Sequence, residues 1–276
     1  MTGLQGKTLF ITGATRGIGH AIGLRAAQDG ANIVVAAKTT EPHSKLPGTI
    51  YTAAEDMQRA GGKALALPVD VRDDGGLRDA MEAAAVAFGG IDILVNNASA
   101  LSLTDTPSTP MKRYDLIMGI NTRGTFAATQ AALPYLREAA NPHILTLSPP
   151  LDMNPRWFRD STAYTISKMG MSMCVIGHAA EFARYGIAVN GLWPRTFIST
   201  AALKLVPGMD WETARTPEIL ADCAHIVLTR DARTCTGNLF LDEEVLASEG
   251  ITDLDKYRNH PDKPLAIDFF VDGYGA

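Results

Sequence analysis

Lys7-Thr8-Leu9-Phe10-Ile11-Thr12-Gly13-Ala14-Thr15-Arg16-Gly17-Ile18-Gly19 is the stretch on which the fold turns. Residues 7–12 form a short, near-continuous apolar run, the pattern of a strand buried on both faces. Glycines follow at once, and residues 18–28 carry apolar side chains at helical spacing. Strand, glycine turn and helix in that order build a cradle. The first turn of a helix has unpaired N–H groups and the positive end of the dipole, and glycine lets that backbone approach a pyrophosphate. The spacing Gly-x-x-x-Gly-x-Gly at Gly13, Gly17 and Gly19 differs from the Gly-x-Gly-x-x-Gly of the usual dinucleotide fingerprint. Glycines can also simply make a tight turn, so the rest of the chain decides.

Working outward, similar apolar runs recur at 32–37, 64–69, 91–96, 143–148, 188–193 and 238–241. Helical patterns separate them at 18–29, 52–60, 74–88, 123–136, 163–185 and 217–229. This alternation predicts an α/β fold: a doubly wound, Rossmann-like parallel sheet of about seven strands in a single domain over residues 1–245. Residues 246–276 are then a C-terminal tail packing on the domain or on an oligomer partner. Thr216-Pro217-Glu218 reads as a helix start, with threonine as cap and proline at the first helical position. Residues 39–48 and 149–161 are irregular and follow strands, so both should lie at carboxyl ends, where this architecture binds ligands.

Composition narrows the function. The 276 residues are 46% hydrophobic, enough for a substantial core, and the net charge of −5 with scattered lysines and arginines argues against nucleic acid. Cys174, Cys223 and Cys235 have neither paired nor metal-ligand spacing, and the six histidines are dispersed, so reduced thiols and no metal are expected. Residues 1–6 run directly into the first strand, and no apolar run is long enough to span a bilayer. A soluble cytoplasmic protein is the expectation.

Tyr164 and Lys168, four apart on a predicted helix, share one face. An ammonium beside a phenol favours phenolate and draws a tyrosine pKa of about 10 toward neutrality, where it can act as general acid or base. Alone the pair is weak; after the glycine cradle it points to an enzyme.

With the cradle, Asn96-Asn97-Ala98 after the fourth strand, Asn121 and Tyr164-x-x-x-Lys168 in order, the chain resembles the short-chain dehydrogenase/reductase family from about Leu4 to Leu241. Ala37-Lys38, Gly48-Thr49-Ile50-Tyr51-Thr52, Ser148-Pro149-Pro150 and Leu192-Trp193-Pro194 make it most similar to the hydroxysteroid dehydrogenase-like 2 group. The sterol-carrier domain that some members append is expected to be absent. The resemblance implies Tyr164 as general acid/base, Lys168 lowering its pKa and holding the nicotinamide ribose, and Asn121 supporting a water that relays protons. A fourth member, a serine bonding the substrate oxygen, usually stands about 13 residues before the tyrosine. Position 151 here is leucine, and Ser148 at the strand end is the first choice, ahead of Ser161.

For the cofactor, the resemblance implies Gly13, Thr15, Arg16, Gly17, Ile18 and Gly19 at the pyrophosphate, Asp70 and Val71 at the adenine, Asn97 and Ala98 near the central sheet, and Pro194, Thr196 and Thr200 near the carboxamide. Ser99 stands where glycine is usual, and Arg195 follows Pro194 where the family has glycine. The second strand ends Ala36-Ala37-Lys38 without the acid that accepts from a ribose 2′-OH, and Arg16 adds a second cation, so NADP(H) is favoured over NAD(H). Leu151, Met153, Trp157 and Phe158 suggest a hydrophobic carbonyl or alcohol substrate, fatty-acyl, terpenoid or steroid-like; Arg156 or Arg195 could meet an acidic group. Phe269-Phe270 in the tail need cover. The resemblance implies a homodimer or homotetramer through the helices at 123–136 and 163–185. The alternatives are a non-catalytic dinucleotide-binding sensor or scaffold, made thinkable by the displaced serine, and an NAD-dependent alcohol dehydrogenase.

Overall fold

The computed structural model of the chain describes residues 3–42, 46–203, 206 and 208–273. Seven strands, β1 (Thr8–Thr12), β2 (Asn32–Ala37), β3 (Lys63–Pro68), β4 (Ile93–Asn96), β5 (His143–Thr146), β6 (Ala188–Trp193) and β7 (Leu239–Leu241), form one parallel sheet in the order β3-β2-β1-β4-β5-β6-β7. The order reverses between β1 and β4, and an open α/β sheet binds ligands in the crevice at such a switch point.

Because strand side chains alternate, successive residues feed two cores. Leu9, Ile11, Ile33, Val35, Ile93 and Val95 join one, with α1 (Gly17–Gln28), α2 (Ile50–Arg59) and α8 (Glu218–Thr229) covering it. Phe10, Val34, Ala36, Leu94 and Ile144 join the other, beneath α3 (Asp74–Phe88), α5 (Gly124–Leu136) and α7 (Thr162–Phe182). Both faces are thus dry, which explains why the strands read as continuous apolar runs.

The predicted α3 has the bounds that its signals mark: Asp73 caps the N–H groups of Gly75 and Gly76, and Gly89 closes it at a left-handed φ of 85°. Elsewhere the structure amends the sequence reading. β5 stops at Thr146, two residues short of Ser148, and Pro217 takes the cap position with the helix starting at Glu218. Three helices were not anticipated. α4 (Met111–Met118) buries only Ile117 and so carries almost no apolar period; α6 (Arg156–Arg159) is a single turn inside the irregular 149–161 stretch. The third, α9 (Asp242–Ser248), opens with Asp242, Glu243 and Glu244, acids that suit the positive end of a helix. Among the described residues, no helix is long and apolar enough to cross a membrane. The irregular region 39–48 includes residues 43–45, which lie outside the described residues.

Candidate active site

At the β1–α1 turn, Gly13 and Gly17 adopt left-handed φ values of 72° and 61°. A Cβ at Gly13 would lie 3.0 Å from the Cα of Ala98, so only glycine allows the turn to approach the end of β4. Asn97 locks the two together: its Nδ2 donates to the carbonyls of Thr12 (2.9 Å) and Gly13 (3.0 Å), while Thr12 Oγ1 accepts from the N–H groups of Asn97 and Ala98, each at 3.1 Å. Gly19 is buried beneath, where a side chain would collide with Asn97 Nδ2 at 2.4 Å. Asn96 faces away and donates to Thr129 Oγ1 on α5. Arg16 takes the cap position of α1 without a side-chain cap bond, so the first-turn N–H groups are offered toward the cleft.

That cleft, of about 570 Å³, is lined by Gly13, Thr15, Arg16, Gly17 and Ile18 on one side. Lys38, Asp70, Val71, Asn97 and Ala98 complete it along the strand ends, and Tyr164 closes its inner end. Left-handed glycines, an uncapped helix start and a cleft of this size fit a dinucleotide. Both cations favoured for a 2′-phosphate stand here with protein partners. Lys38 Nζ is 3.2 Å from Asp70 Oδ2, and Arg16 donates to the carbonyls of Pro47 (2.8 Å) and Gly48 (2.9 Å). Asp70 is held well below the usual carboxylate range, chiefly by hydrogen bonds from the Arg72 side chain and then its backbone, with Lys38 adding to them.

α7 presents Tyr164 and Lys168 on one buried face. Their electrostatics differ from the sequence expectation. Burial raises the Tyr164 phenol above its ordinary value, and the carboxylate of Asp268 adds to the rise. Burial lowers the Lys168 ammonium to about 7, and that group donates to the Leu147 carbonyl at 2.7 Å, 4.8 Å over the Trp193 ring. Desolvation is thus the largest effect on both groups. Asn121 is fully buried in a π-helical turn (Gly119–Arg123) between α4 and α5, the kind of bulge that recurs at functional sites. Its Oδ1 accepts from Ala100 N (2.8 Å) and its Nδ2 donates to Ser167 Oγ (2.9 Å), which in turn donates to the Tyr164 carbonyl (2.7 Å). Asn121 thus braces the turn of α7 that carries the tyrosine.

Beyond Tyr164 lies an inner cavity of about 170 Å³, shared with the cleft through Ile18, Asn97, Ser99 and Thr200. Its walls include Leu147, Trp193, Pro194, Phe197, Ile198 and Leu203. Ser148 is not among them. It is fully buried, and its Oγ points to β6, where a Cβ on Gly191 would meet it at 3.1 Å. Thr196 is also fully buried, its backbone bridged to Ile267, whereas Thr200 does face the cavity. Trp157 packs its ring 5.8 Å from Phe270, while Leu151 and Met153 are exposed. Arg156 pairs with Asp272, and Arg195 lies 3.1 Å from Glu243, so both arginines meet carboxylates of the chain itself.

One titratable residue of the cavity belongs to no motif in the sequence. Asp268, from the tail, stands among Tyr164, Lys168 and Trp193, and burial pushes its carboxyl up to about 8. An acid beside two phenylalanines was the sole hint, and it became legible only once residues 266–271 folded back over the sheet.

A family model described as short chain dehydrogenase matches residues 7–208. The chain is 56% identical over 271 residues to hydroxysteroid dehydrogenase-like protein 2 of Danio rerio, covering 98% of this chain and 65% of that relative's length. The chain thus spans just under two-thirds of the curated relative it matches. A solved structure of a protein from Xanthomonas campestris superposes with a TM-score of 0.97 at 54% identity, covering 98% of this chain and all of the other. A short chain dehydrogenase from Mycobacterium thermoresistibile superposes at 0.92 with 47% identity, covering 98% of this chain and 96% of the other.

Proposed function

We propose that this chain, which belongs to the short chain dehydrogenase family, is an NADP(H)-dependent oxidoreductase that interconverts a carbonyl and a primary or secondary alcohol on a hydrophobic substrate. The observation that carries this reading is Tyr164 at the join between the dinucleotide-shaped cleft and the apolar inner cavity. The bound nicotinamide would supply or accept the hydride. Residues Thr15 to Ile18 would hold the pyrophosphate, Asp70 and Val71 the adenine, and Pro194 and Thr200 the carboxamide end. Tyr164, a phenol at neutral pH, would give its proton to the substrate oxygen in reduction; burial makes that phenol a weaker acid, so the transfer is driven by the negative charge that hydride addition places on the oxygen. Lys168, poised near 7, is suited to hold the ribose hydroxyls and return that proton. Fatty-acyl, terpenoid or steroid-like compounds suit walls of Leu147, Trp193, Phe197 and Leu203.

Fluorescence titration with NADPH and NADH, followed by cofactor oxidation across medium-chain aldehydes, ketones and 3-oxoacyl thioesters, tests this reading. NADPH is expected to bind more tightly, and a carbonyl to be reduced. Binding without turnover on every carbonyl would favour the non-catalytic sensor, a reading to which the burial of Ser148 lends weight.

The cofactor preference rests on Arg16 and Lys38. The double change Arg16→Gln and Lys38→Gln is expected to weaken NADPH binding by about tenfold or more while leaving NADH nearly untouched, because a hydrogen bond to a charged group contributes about 1.5–3 kcal/mol. Equal losses for the two cofactors would sink the assignment.

Ile166, Met173 and Ile176 are exposed on α7, with Phe126 exposed on α5. Spacing of seven and then three puts the α7 residues on one helix face. We expect that face to be covered in a homodimer or homotetramer; size-exclusion chromatography returning a monomer at working concentration would refute it. Cys174, Cys223 and Cys235 are free thiols, in keeping with a cytoplasmic location.

A further inference from the structure

The structure assigns Asp268 to the catalytic cavity as the hydrogen-bond donor to the substrate oxygen, the place for which sequence resemblance called for a serine near the end of β5. This inference rests on the oxidoreductase reading above. Three observations carry it. First, the expected serine does not reach the cavity: Ser148 Oγ is buried against Gly191, and positions 149 and 150 are prolines without a hydroxyl. Second, Asp268 and Lys168 line the inner cavity alone, whereas Tyr164, Ser99 and Thr200 stand where that cavity meets the larger cleft, so Asp268 is the acid on the substrate's side of the tyrosine.

Third, the tail is built to hold Asp268 there. Phe197 N donates to the Ala266 carbonyl, and Asp268 N donates to the Arg195 carbonyl, each at 3.0 Å, so residues 266–268 pair antiparallel with the loop after β6. Trp193 Nε1 then donates to the Phe269 carbonyl at 2.9 Å. Phe270 lies against Trp157, Tyr164 and Trp193, its centroid 5.8–6.2 Å from theirs. Among the described residues, Phe270 alone of the non-glycines has a positive φ, 68°. Such a conformation is strained for a residue with a side chain and persists where the surroundings over-determine it, most often at functional sites.

The chemistry depends on protonation. The titratable groups facing Asp268 are Lys168 and Tyr164 from α7 and Asp242 at the start of α9, and the Phe269 N–H donates to its Oδ1 at 2.7 Å. Burial, the largest effect, favours the neutral carboxyl, Asp242 reinforces it, and Lys168 and the Phe269 N–H oppose it. A neutral carboxyl in an apolar site donates its O–H to a carbonyl oxygen without losing the proton. The proton passed to that oxygen comes from Tyr164. As pH rises through about 8, Asp268 becomes a carboxylate that only accepts and repels charge on the substrate oxygen, so reduction should slow.

The test uses the full chain as wild type, Asp268→Ala and Asp268→Asn, with NADPH and the carbonyl panel above. Asp268→Ala is expected to lower kcat by about 10²–10³-fold with NADPH affinity unchanged, the loss typical of one donor to a developing oxyanion. Asp268→Asn, which keeps an N–H donor, should retain much of the rate and lose the decline near pH 8. An undiminished kcat in Asp268→Ala, or a decline near pH 8 that survives in Asp268→Asn, would overturn the assignment. A readout independent of turnover is the ¹³C NMR titration of aspartate carboxyls. A signal titrating near pH 8, absent from Asp268→Asn, is expected; an Asp268 midpoint near the ordinary value of about 3.9 would overturn the inference even if no carbonyl is turned over. Wild-type turnover separately judges the oxidoreductase reading.

Discussion

Tyr164→Phe is expected to lower the kcat of carbonyl reduction by about 10²–10⁴-fold, the range contributed by a positioned general acid, while NADPH binding and thermal stability stay close to wild type. The change removes one oxygen. The ring that remains keeps its place in the buried cluster with Met169, Trp193 and Phe270, 6.2 Å from the last of these, so neither a cavity nor a clash arises. Lys168 keeps its bond to the Leu147 carbonyl, and Asn121 keeps its brace through Ser167, since both act on backbone or on other side chains. A rate loss with intact binding therefore isolates the phenol proton. Retention of most of the wild-type rate would transfer the acid role to another cavity group, with Asp268 the first to examine.

Gly13→Ala should weaken NADPH binding by at least about tenfold, equivalent to 1.4 kcal/mol, and lower Tm as well. Two separate penalties act at this position. A φ of 72° places a Cβ in the left-handed region, at about 1–2 kcal/mol. That Cβ also falls 3.0 Å from the Ala98 Cα, a backbone atom that cannot swing away, and 3.0 Å from Asn97 Nδ2, which holds the turn to β4. For a chain of this size, 2 kcal/mol corresponds to a fall of roughly 4–8 °C in Tm. Differential scanning fluorimetry with and without NADPH separates the effects: the apo shift reports strain, and the missing ligand-induced rise reports the damaged cradle. A variant with wild-type NADPH affinity would mean that the pyrophosphate does not rest on this turn.

The fold was legible because its signals are local. The bounds of β2 and β6 emerge from apolar runs alone, those of α3 from its helical pattern, and the cradle from three glycines within seven residues. α4 escaped because a helix that buries one side chain has no period to read, and α9 because an acidic start resembles a polar turn. Tyr164, Lys168 and Asn121 could be paired in advance because a motif names them. What happened to their charges could not, because desolvation is a property of everything packed around a group, and it reversed the expected shift of the phenol.

The amino-acid sequence by itself determined the alternation of strands and helices that implies a parallel α/β sheet, the glycine cradle after the first strand and the tyrosine–lysine helix, since each is written in patterns among residues close along the chain. Only the tertiary structure decided that Ser148 turns toward Gly191, that Arg16 and Lys38 meet protein partners, and that Asp268 arrives 104 residues after Tyr164 to share its cavity. Those outcomes depend on how strands, loops and tail close on one another in space, where the direction of a side chain and the loss of water around it are set by neighbours that no local pattern announces.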